Sequence, residues 1–301
     1  MRTSKGAHFL FQHTSMNLTS FLNTGSVRQP HYVLFGHPVG HSLSPLMHNT
    51  ALEHYDLSGR YYAIDLQPDE LGRMASYLNQ DHFQGANITI PYKQMLNKYL
   101  DEISPSVQQV GALNTIIKDE GRLLGENTDL YGFKAPLQPY SSALEGERAL
   151  IFGTGGAARA VVAGLNEMGV EELYLVSRDP QNAQSFEEIG SVRIIDYSQW
   201  AAYAKEIVLF VNATPLGMEP DEEASPVREV EQVLLEDSIC YDIVYNPLKT
   251  TFLKQAEAAG ATTIGGLEML IHQGSRSFEY WTGKPFPVDR IRKLLYGKFK
   301  H

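Results

Sequence analysis

Midway along the chain an apolar run, Ala149–Phe152, leads into Gly153-Thr154-Gly155-Gly156-Ala157-Ala158-Arg159-Ala160 and then into a helical pattern that continues to Met168. A strand that passes through a GxGxxA turn into a helix is the opening unit of a dinucleotide-binding α/β fold. Gly153 permits the tight turn, and Gly155 lets the backbone approach a pyrophosphate. Small Ala158 lets the helix pack closely on the strand, so that the helix N-terminus faces the phosphates. Thr154, Gly156 and Ala157 complete the loop. A glycine turn can also be merely structural, but a strand before it and a helix after it favour nucleotide binding.

On both sides of this unit short apolar runs alternate with helical patterns, which predicts a mainly parallel sheet covered by helices. Before it, strands are expected over Tyr32–Gly36, Tyr61–Asp65, Ala86–Ile90 and Leu113–Ile117, with helices over Pro45–His54, Pro68–Asn79 and Tyr92–Leu100. Pro45 and Pro68 suit first helical turns. After it, strands over Leu173–Val176, Ile207–Val211 and Ile239–Ile243 complete a Rossmann-like sheet, and helices over Leu267–Trp281 and Val288–Leu295 follow. From Pro136 to Gly146 the pattern dissolves into Pro, Ser and Gly, which reads as a join. The expected fold class is therefore α/β: an N-terminal α/β domain over 31–137, a Rossmann-like domain over 147–265, and C-terminal helices over 266–301 that return to the first domain.

The chain has 301 residues, 43% hydrophobic and 20% charged, enough for two cored domains. Its formal net charge of −10 gives no general attraction to nucleic acid or to an anionic membrane surface. No apolar run approaches the roughly 18 residues of a membrane span, so a small-molecule partner is expected. Cys240, the single cysteine, cannot form an internal disulfide and reads as packing, which fits a reducing, cytoplasmic setting. His37, His41 and His48 have no zinc spacing and no cysteines to join them, so no metal is expected. Residues 1–30 stand apart, with Arg2, Lys5 and Arg28, no acidic residue, and many Ser, Thr and Asn. They read as a leader or disordered tail, with Met16 as another possible start and an organelle transit peptide as the less favoured reading.

Six further segments carry a resemblance: Ser42-Leu43-Ser44-Pro45, Asn87-Ile88-Thr89-Ile90-Pro91-Tyr92-Lys93, Gly111-Ala112-Leu113-Asn114-Thr115, Asn127-Thr128-Asp129, Asn212-Ala213-Thr214-Pro215-Leu216-Gly217-Met218, and Tyr245-Asn246-Pro247 with the later Gln273-Gly274. In this order, with the glycine turn, the chain resembles the shikimate dehydrogenase family. The resemblance implies an NADP-dependent alcohol dehydrogenase that interconverts 3-dehydroshikimate and shikimate, with the first domain holding the substrate. Lys93 and Asp129 match the family's catalytic pair: ketone reduction needs a proton for the forming alkoxide, and a lysine beside a carboxylate can supply it. Ser42 and Ser44, ahead of a helix N-terminus, match carboxylate-binding serines, or else cap that helix. Asn87 and Thr89 share one strand face in period-two alternation, with Ile88 and Ile90 on the other, and are expected at the substrate. By the same carry-over Asn114 and Gln273 hold ring hydroxyls and Tyr245 borders the carboxylate. Asn212, Ala213 and Thr214 fall near the nicotinamide end, with Met218 and Gly266 at its reactive face.

Cofactor choice rests on Ser177-Arg178-Asp179, which follows the second strand of the nucleotide half. Arg178 favours a 2′-phosphate and hence NADP. The family's usual Asn-Arg-Thr here becomes Ser-Arg-Asp, and a carboxylate pointing inward would weaken that preference and admit NAD. Alternatively Asp179, followed by Pro180, caps the next helix and faces away. Two other functions fit the same resemblance: a dual quinate/shikimate dehydrogenase, less favoured because Thr in place of Ser44 often accompanies quinate use, and a non-catalytic NADP-binding sensor, opposed by retention of Lys93 and Asp129. Monomer and homodimer are both open.

Overall fold

Two β-sheets organise the protein, whose computed structural model describes residues 15–299. The first contains β1 (Met16–Asn17), β2 (His31–Gly36), β3 (Arg60–Asp65), β4 (Phe83–Ile88), β5 (Glu102–Ile103), β6 (Thr115–Asp119) and β7 (Arg122–Glu126), in the order β1-β3-β2-β4-β6-β7-β5. Strand β2 is buried along its whole length and runs parallel to both neighbours, as its unbroken apolar character requires. The sheet then changes direction: β6 pairs antiparallel with β4 and forms a hairpin with β7. Glu120 and Gly121 make the connection with φ of 47° and 83°, the doubly left-handed turn that matches strand twist. The apolar run at 113–117 announced only one arm of this hairpin.

The helices of this half are α1 (Leu18–Leu22), α2 (Ser44–His54), α3 (Leu71–Leu78), α4 (Pro105–Val110), α5 (Asp129–Lys134) and α6 (Ser141–Leu144). Residues 15–30 are folded, which corrects the tail reading for that stretch; residues 1–14 lie outside the described residues. Asn17 caps α1 by accepting from Ser20 N at 2.8 Å, and Leu18 and Phe21 are fully buried, Phe21 against His31, Tyr62 and Tyr77. The helix expected over 92–100 is instead two short 3₁₀ turns, Tyr92–Gln94 and Asn97–Tyr99. The Lys93 carbonyl, needed for a helical bond to residue 97, accepts from Leu113 N at 2.8 Å and ties the segment to the sheet. The join expected at 136–146 is helical as far as Leu144, running from α5 through a 3₁₀ turn at Ala135–Tyr140 into α6.

The second sheet is parallel throughout: β8 (Arg148–Phe152), β9 (Glu172–Ser177), β10 (Val192–Asp196), β11 (Leu209–Asn212), β12 (Ile239–Asp242) and β13 (Thr262–Ile264), in the order β10-β9-β8-β11-β12-β13. The order reverses between β8 and β11, which opens a crevice at their carboxyl ends. Helices α7 (Gly156–Glu167) and α8 (Thr251–Ala258) belong to this half, followed by α9 (Gly266–Thr282) and α10 (Val288–Lys298). Helix α9 packs against α5 and α2 of the first half. Trp281 near its end donates from Nε1 to Ile116 O at 3.0 Å, and Gly85 leaves the room, since a Cβ there would lie 2.3 Å from that nitrogen.

Candidate active site

The chemistry gathers where β4 ends, α5 begins and α9 crosses both. Lys93 Nζ donates to Asp129 Oδ2 at 2.5 Å, with the two side chains only 15% and 9% exposed. The other carboxylate oxygen of Asp129 accepts from Asn114 Nδ2 at 2.9 Å. Asn114 is fixed from both sides of the sheet: its carbonyl accepts from Ile88 N, and its amide donates to Glu126 O. Its side-chain oxygen accepts from Thr128 N at 2.7 Å, which sets the entry of the chain into α5 and so the position of Asp129. An ammonium and a carboxylate in contact, both little exposed and the carboxylate held by a second donor, form a pair that can exchange a proton with a bound group.

Behind this pair lies a buried polar network. Asn87 Nδ2 donates to Asn114 O, Thr115 Oγ1 and Ser277 Oγ, while its Oδ1 accepts from Tyr61 OH at 2.8 Å. Gln273 on α9 accepts from Asn114 Nδ2 at 3.4 Å through Oε1, and its Nε2 is bound to Leu270 O. Ser277, one helical turn further, hydrogen-bonds Gln273 O and the hydroxyls of Thr115 and Thr128. Tyr61, Thr115, Thr128 and Ser277 were not singled out by sequence reasoning; Thr115 and Thr128 stood inside matched segments, whereas Tyr61 and Ser277 carried no signal of their own. Burial pushes the Tyr61 phenol well above its ordinary range, against the hydrogen bond from Ser44. It is thereby kept a neutral donor.

Ser42 and Ser44 lie at the N-terminus of α2. Leu43 is the cap residue and offers no side-chain bond; Ser42 Oγ accepts from Ser44 N at 3.2 Å, and Ser44 is buried. Ser42 thus takes up the first amide of α2, and the N-cap Leu43 offers no side-chain acceptor to the rest of the first turn. Thr89 is half-buried, with its methyl against Gly36. Ile90 departs from the expected shared apolar face, being 70% exposed where Ile88 is 2%, because β4 ends at Ile88 and the chain turns at Pro91. Tyr245 packs against the apolar cluster of Met47, Leu267 and Ile271, and its phenol is pushed up by burial. His48 is buried in an aromatic box, stacked on Tyr61 at 4.5 Å, and burial lowers its pKa to about 3.

At the switch point of the second sheet a crevice of about 540 Å³ is lined by Gly153, Thr154, Gly155, Ser177, Arg178, Tyr197, Ala213 and Thr214, among others. Gly153 has φ 103°, and a Cβ on it would come 2.7 Å from Thr214 Cγ2, so two turns approach there closely enough to exclude any side chain. Gly155 and Gly156 face open space, and the N-cap Gly155 supplies no side-chain bond to the first turn of α7. The free amides of Gly156 and Ala157 therefore suit phosphate oxygens, which fits a dinucleotide. Arg178 is exposed at the same crevice. Asp179 is turned away: it caps the following 3₁₀ helix, accepting from Asn182 N at 3.4 Å and Asn182 Nδ2 at 2.5 Å. Tyr197, beside Arg178, was not foreseen.

The far wall rests on a buried carboxylate. Asp242 accepts from Asn212 Nδ2, Val244 N and Thr250 Oγ1, and burial raises its pKa to about 6. Asn212 in turn accepts from both the amide and hydroxyl of Thr214, at 3.0 and 2.6 Å. Asn212 thus shapes the turn while Ala213 and Thr214 line the crevice. Met218 is exposed just beyond that turn. Gly266 opens α9 where a Cβ would fall 2.3 Å from Ile243 O; its smallness serves a backbone contact. Among the described residues no group of His, Cys, Asp or Glu could hold a metal ion.

The chain is similar to known proteins of one family. Residues 34–116 match the model of the shikimate dehydrogenase substrate binding domain, and residues 266–296 that of the shikimate 5′-dehydrogenase C-terminal domain. Shikimate dehydrogenase (NADP(+)) of Salinibacter ruber is 41% identical over 271 residues, covering 87% of this chain and 95% of that protein. The Thermus thermophilus shikimate 5-dehydrogenase, solved with NADP(H) and shikimate, is 38% identical with a TM-score of 0.79 over 89% of this chain and 99% of that one. A quinate dehydrogenase from Corynebacterium glutamicum, solved with NAD, gives 0.82 at 29% identity over 89% and 99%. With identity at this level across nearly nine-tenths of its length, the chain belongs to the shikimate dehydrogenase family.

Proposed function

We propose that the protein catalyses the reversible NADPH-dependent reduction of 3-dehydroshikimate to shikimate, a step towards chorismate and the aromatic amino acids. The observation that carries this reading is the Lys93–Asp129 contact of 2.5 Å, with Asn114 on the second carboxylate oxygen. The nicotinamide, when bound, supplies the hydride that the ketone carbon accepts. Lys93 stabilises the charge growing on the ketone oxygen and delivers a proton to it, while Asp129 holds the ammonium in place and takes part in its reprotonation. In the reverse direction the same pair removes the hydroxyl proton. Asn114 and Gln273 orient ring hydroxyls, Asn87 and Thr89 border the ring, and Ser42 and Ser44 receive the carboxylate at the start of α2. The glycine turn holds the pyrophosphate, and Arg178 reads the 2′-phosphate, supported by a carboxylate at Asp179 that points into its own helix cap.

The domain assignment follows: residues 31–137 bind substrate, 147–265 bind NADP, and α9 and α10 lock the second unit to the first. No helix of the described residues is long and apolar enough to cross a membrane, and the buried, unpaired Cys240 supports a cytoplasmic setting. Likeness to the quinate dehydrogenase favours one second reading, dual use of quinate, which Ser44 opposes. Steady-state assays with shikimate and quinate, each under NADP and NAD, test the proposal: the highest kcat/KM is expected for shikimate with NADP. Preference for quinate would replace the substrate, and no turnover with any pair would leave a silent nucleotide binder.

A further inference from the structure

Arg159, in the first turn of α7, carries a guanidinium that points away from the cofactor crevice. Its Nε donates to Val110 O at 2.6 Å and its Nη1 to Ser185 Oγ at 3.3 Å, while its Cζ lies 5.3 Å from the centre of the Phe186 ring. Val110 is the last residue of α4 in the substrate half, so its carbonyl is one of the unpaired acceptors of a helix C-terminus, where a cation is favoured. The next residue, Gly111, adopts φ 71° and has no Cβ to block the contact; one built there would sit 2.5 Å from Arg159 Nη2. Three residues further on stands Asn114, which holds Asp129. Ser185 and Phe186 end the 3₁₀ segment that Asp179 caps and that follows Arg178 in the chain.

One side chain thus touches the strut leading to the catalytic pair and the segment that follows the 2′-phosphate arginine, while riding on the phosphate turn itself. We propose that Arg159 is a positioning residue that pins α4 to the nucleotide half and thereby sets the spacing between the reactive end of the bound cofactor and the Lys93–Asp129 pair. The inference rests on the functional reading given above. It also assigns a reason to Gly111: that position must be glycine both for its backbone and to admit the guanidinium.

The test uses the full chain and the variants Arg159→Ala and Arg159→Lys. Because the guanidinium touches no part of the crevice, the Kd for NADP in the binary complex is expected to stay within about threefold of wild type, while kcat falls at least about tenfold, as displacement of reacting groups costs. Deuterating NADPH at the transferred position is expected to give a larger isotope effect on kcat in Arg159→Ala than in wild type, since hydride transfer becomes slower. Arg159→Lys, which keeps a cation near Val110 O, is expected to recover much of the loss. Should Arg159→Ala not fold, Arg159→Met keeps the aliphatic stem against Phe186 and removes the donor to Val110 O, and the same split between Kd and kcat is expected. Wild-type kcat in Arg159→Ala, or an NADP Kd that weakens in step with kcat/KM, overturns the inference while leaving the proposed activity intact. A wild-type protein without shikimate turnover overturns the proposed activity and the inference together.

Discussion

Replacing Lys93 with alanine removes an ammonium whose Nζ lies 2.5 Å from Asp129 Oδ2, in a pair 15% and 9% exposed. Two effects of different size compete. As an ion pair the contact contributes to folding; its loss leaves Asp129 one side-chain donor, Asn114 Nδ2, at a cost of about 1–3 kcal/mol for the weakened buried acceptor. As an acid and charge stabiliser the ammonium acts only when an alkoxide forms, and removing such a group costs about 100- to 10,000-fold in rate. At about 1.4 kcal/mol per factor of ten, that is roughly 3–5 kcal/mol of barrier. The kinetic effect should dominate: kcat for shikimate oxidation falls at least about 100-fold with a smaller change in shikimate KM, because Lys93 contributes mainly in the transition state. The assay is steady-state NADPH formation by folded, purified variant at several pH values, with a thermal melt alongside. A variant that retains more than about a tenth of wild-type kcat would remove Lys93 from the mechanism, since loss of a working general acid is larger than that.

Three further outcomes are expected. Ser44→Thr adds a methyl at a buried position beside Tyr61 and should lower kcat/KM for shikimate by about 1–3 kcal/mol of barrier; an unchanged value would take Ser44 out of the carboxylate site. Arg178→Ala should raise the KM for NADP at least about tenfold while barely altering that for NAD, and equal effects on both would refute phosphate reading by Arg178. Asp242, buried with its pKa raised to about 6, binds more protons folded than unfolded, so its contribution to stability is present at low pH and is lost as pH rises through about 6. Denaturant titrations should therefore show the stability of wild type relative to Asp242→Asn declining from about pH 4 to about pH 6 and levelling above, and a rise in the stability of wild type relative to the variant over that window would contradict a burial-raised carboxyl.

What the sequence disclosed was set by how local the physical demand was. The turn at Gly153 was legible because a left-handed φ and a 2.7 Å approach to Thr214 leave no choice of residue. Four parallel strands of the second half were legible as buried apolar runs, whereas the partly exposed edge strands β10 and β13 were not, and Asp179 followed by Pro180 already carried the signature of the cap it forms. The β6–β7 hairpin was half hidden, because its apolar arm reads alone as a strand and its partner Arg122–Glu126 is only partly buried. The segment 92–100 has helical composition, yet a tertiary bond from Leu113 takes the carbonyl a helix would need. Tyr61 and Ser277 reach the Asn87 network from β3 and α9, so only the packed fold assembles them. Leu18 and Phe21 were masked by polar neighbours, and their burial turns an apparent tail into an edge of the first sheet.

The central claim is direct transfer of hydride between the substrate carbinol and a bound nicotinamide, with Lys93 and Asp129 handling the proton. Shikimate deuterated at the carbinol carbon that becomes the ketone can be incubated with NADP and the purified protein, and the NADPH formed can be weighed by mass spectrometry. NADPH carrying one deuterium from each labelled shikimate is the expected result. Absence of NADPH, or NADPH without the label, would contradict the account.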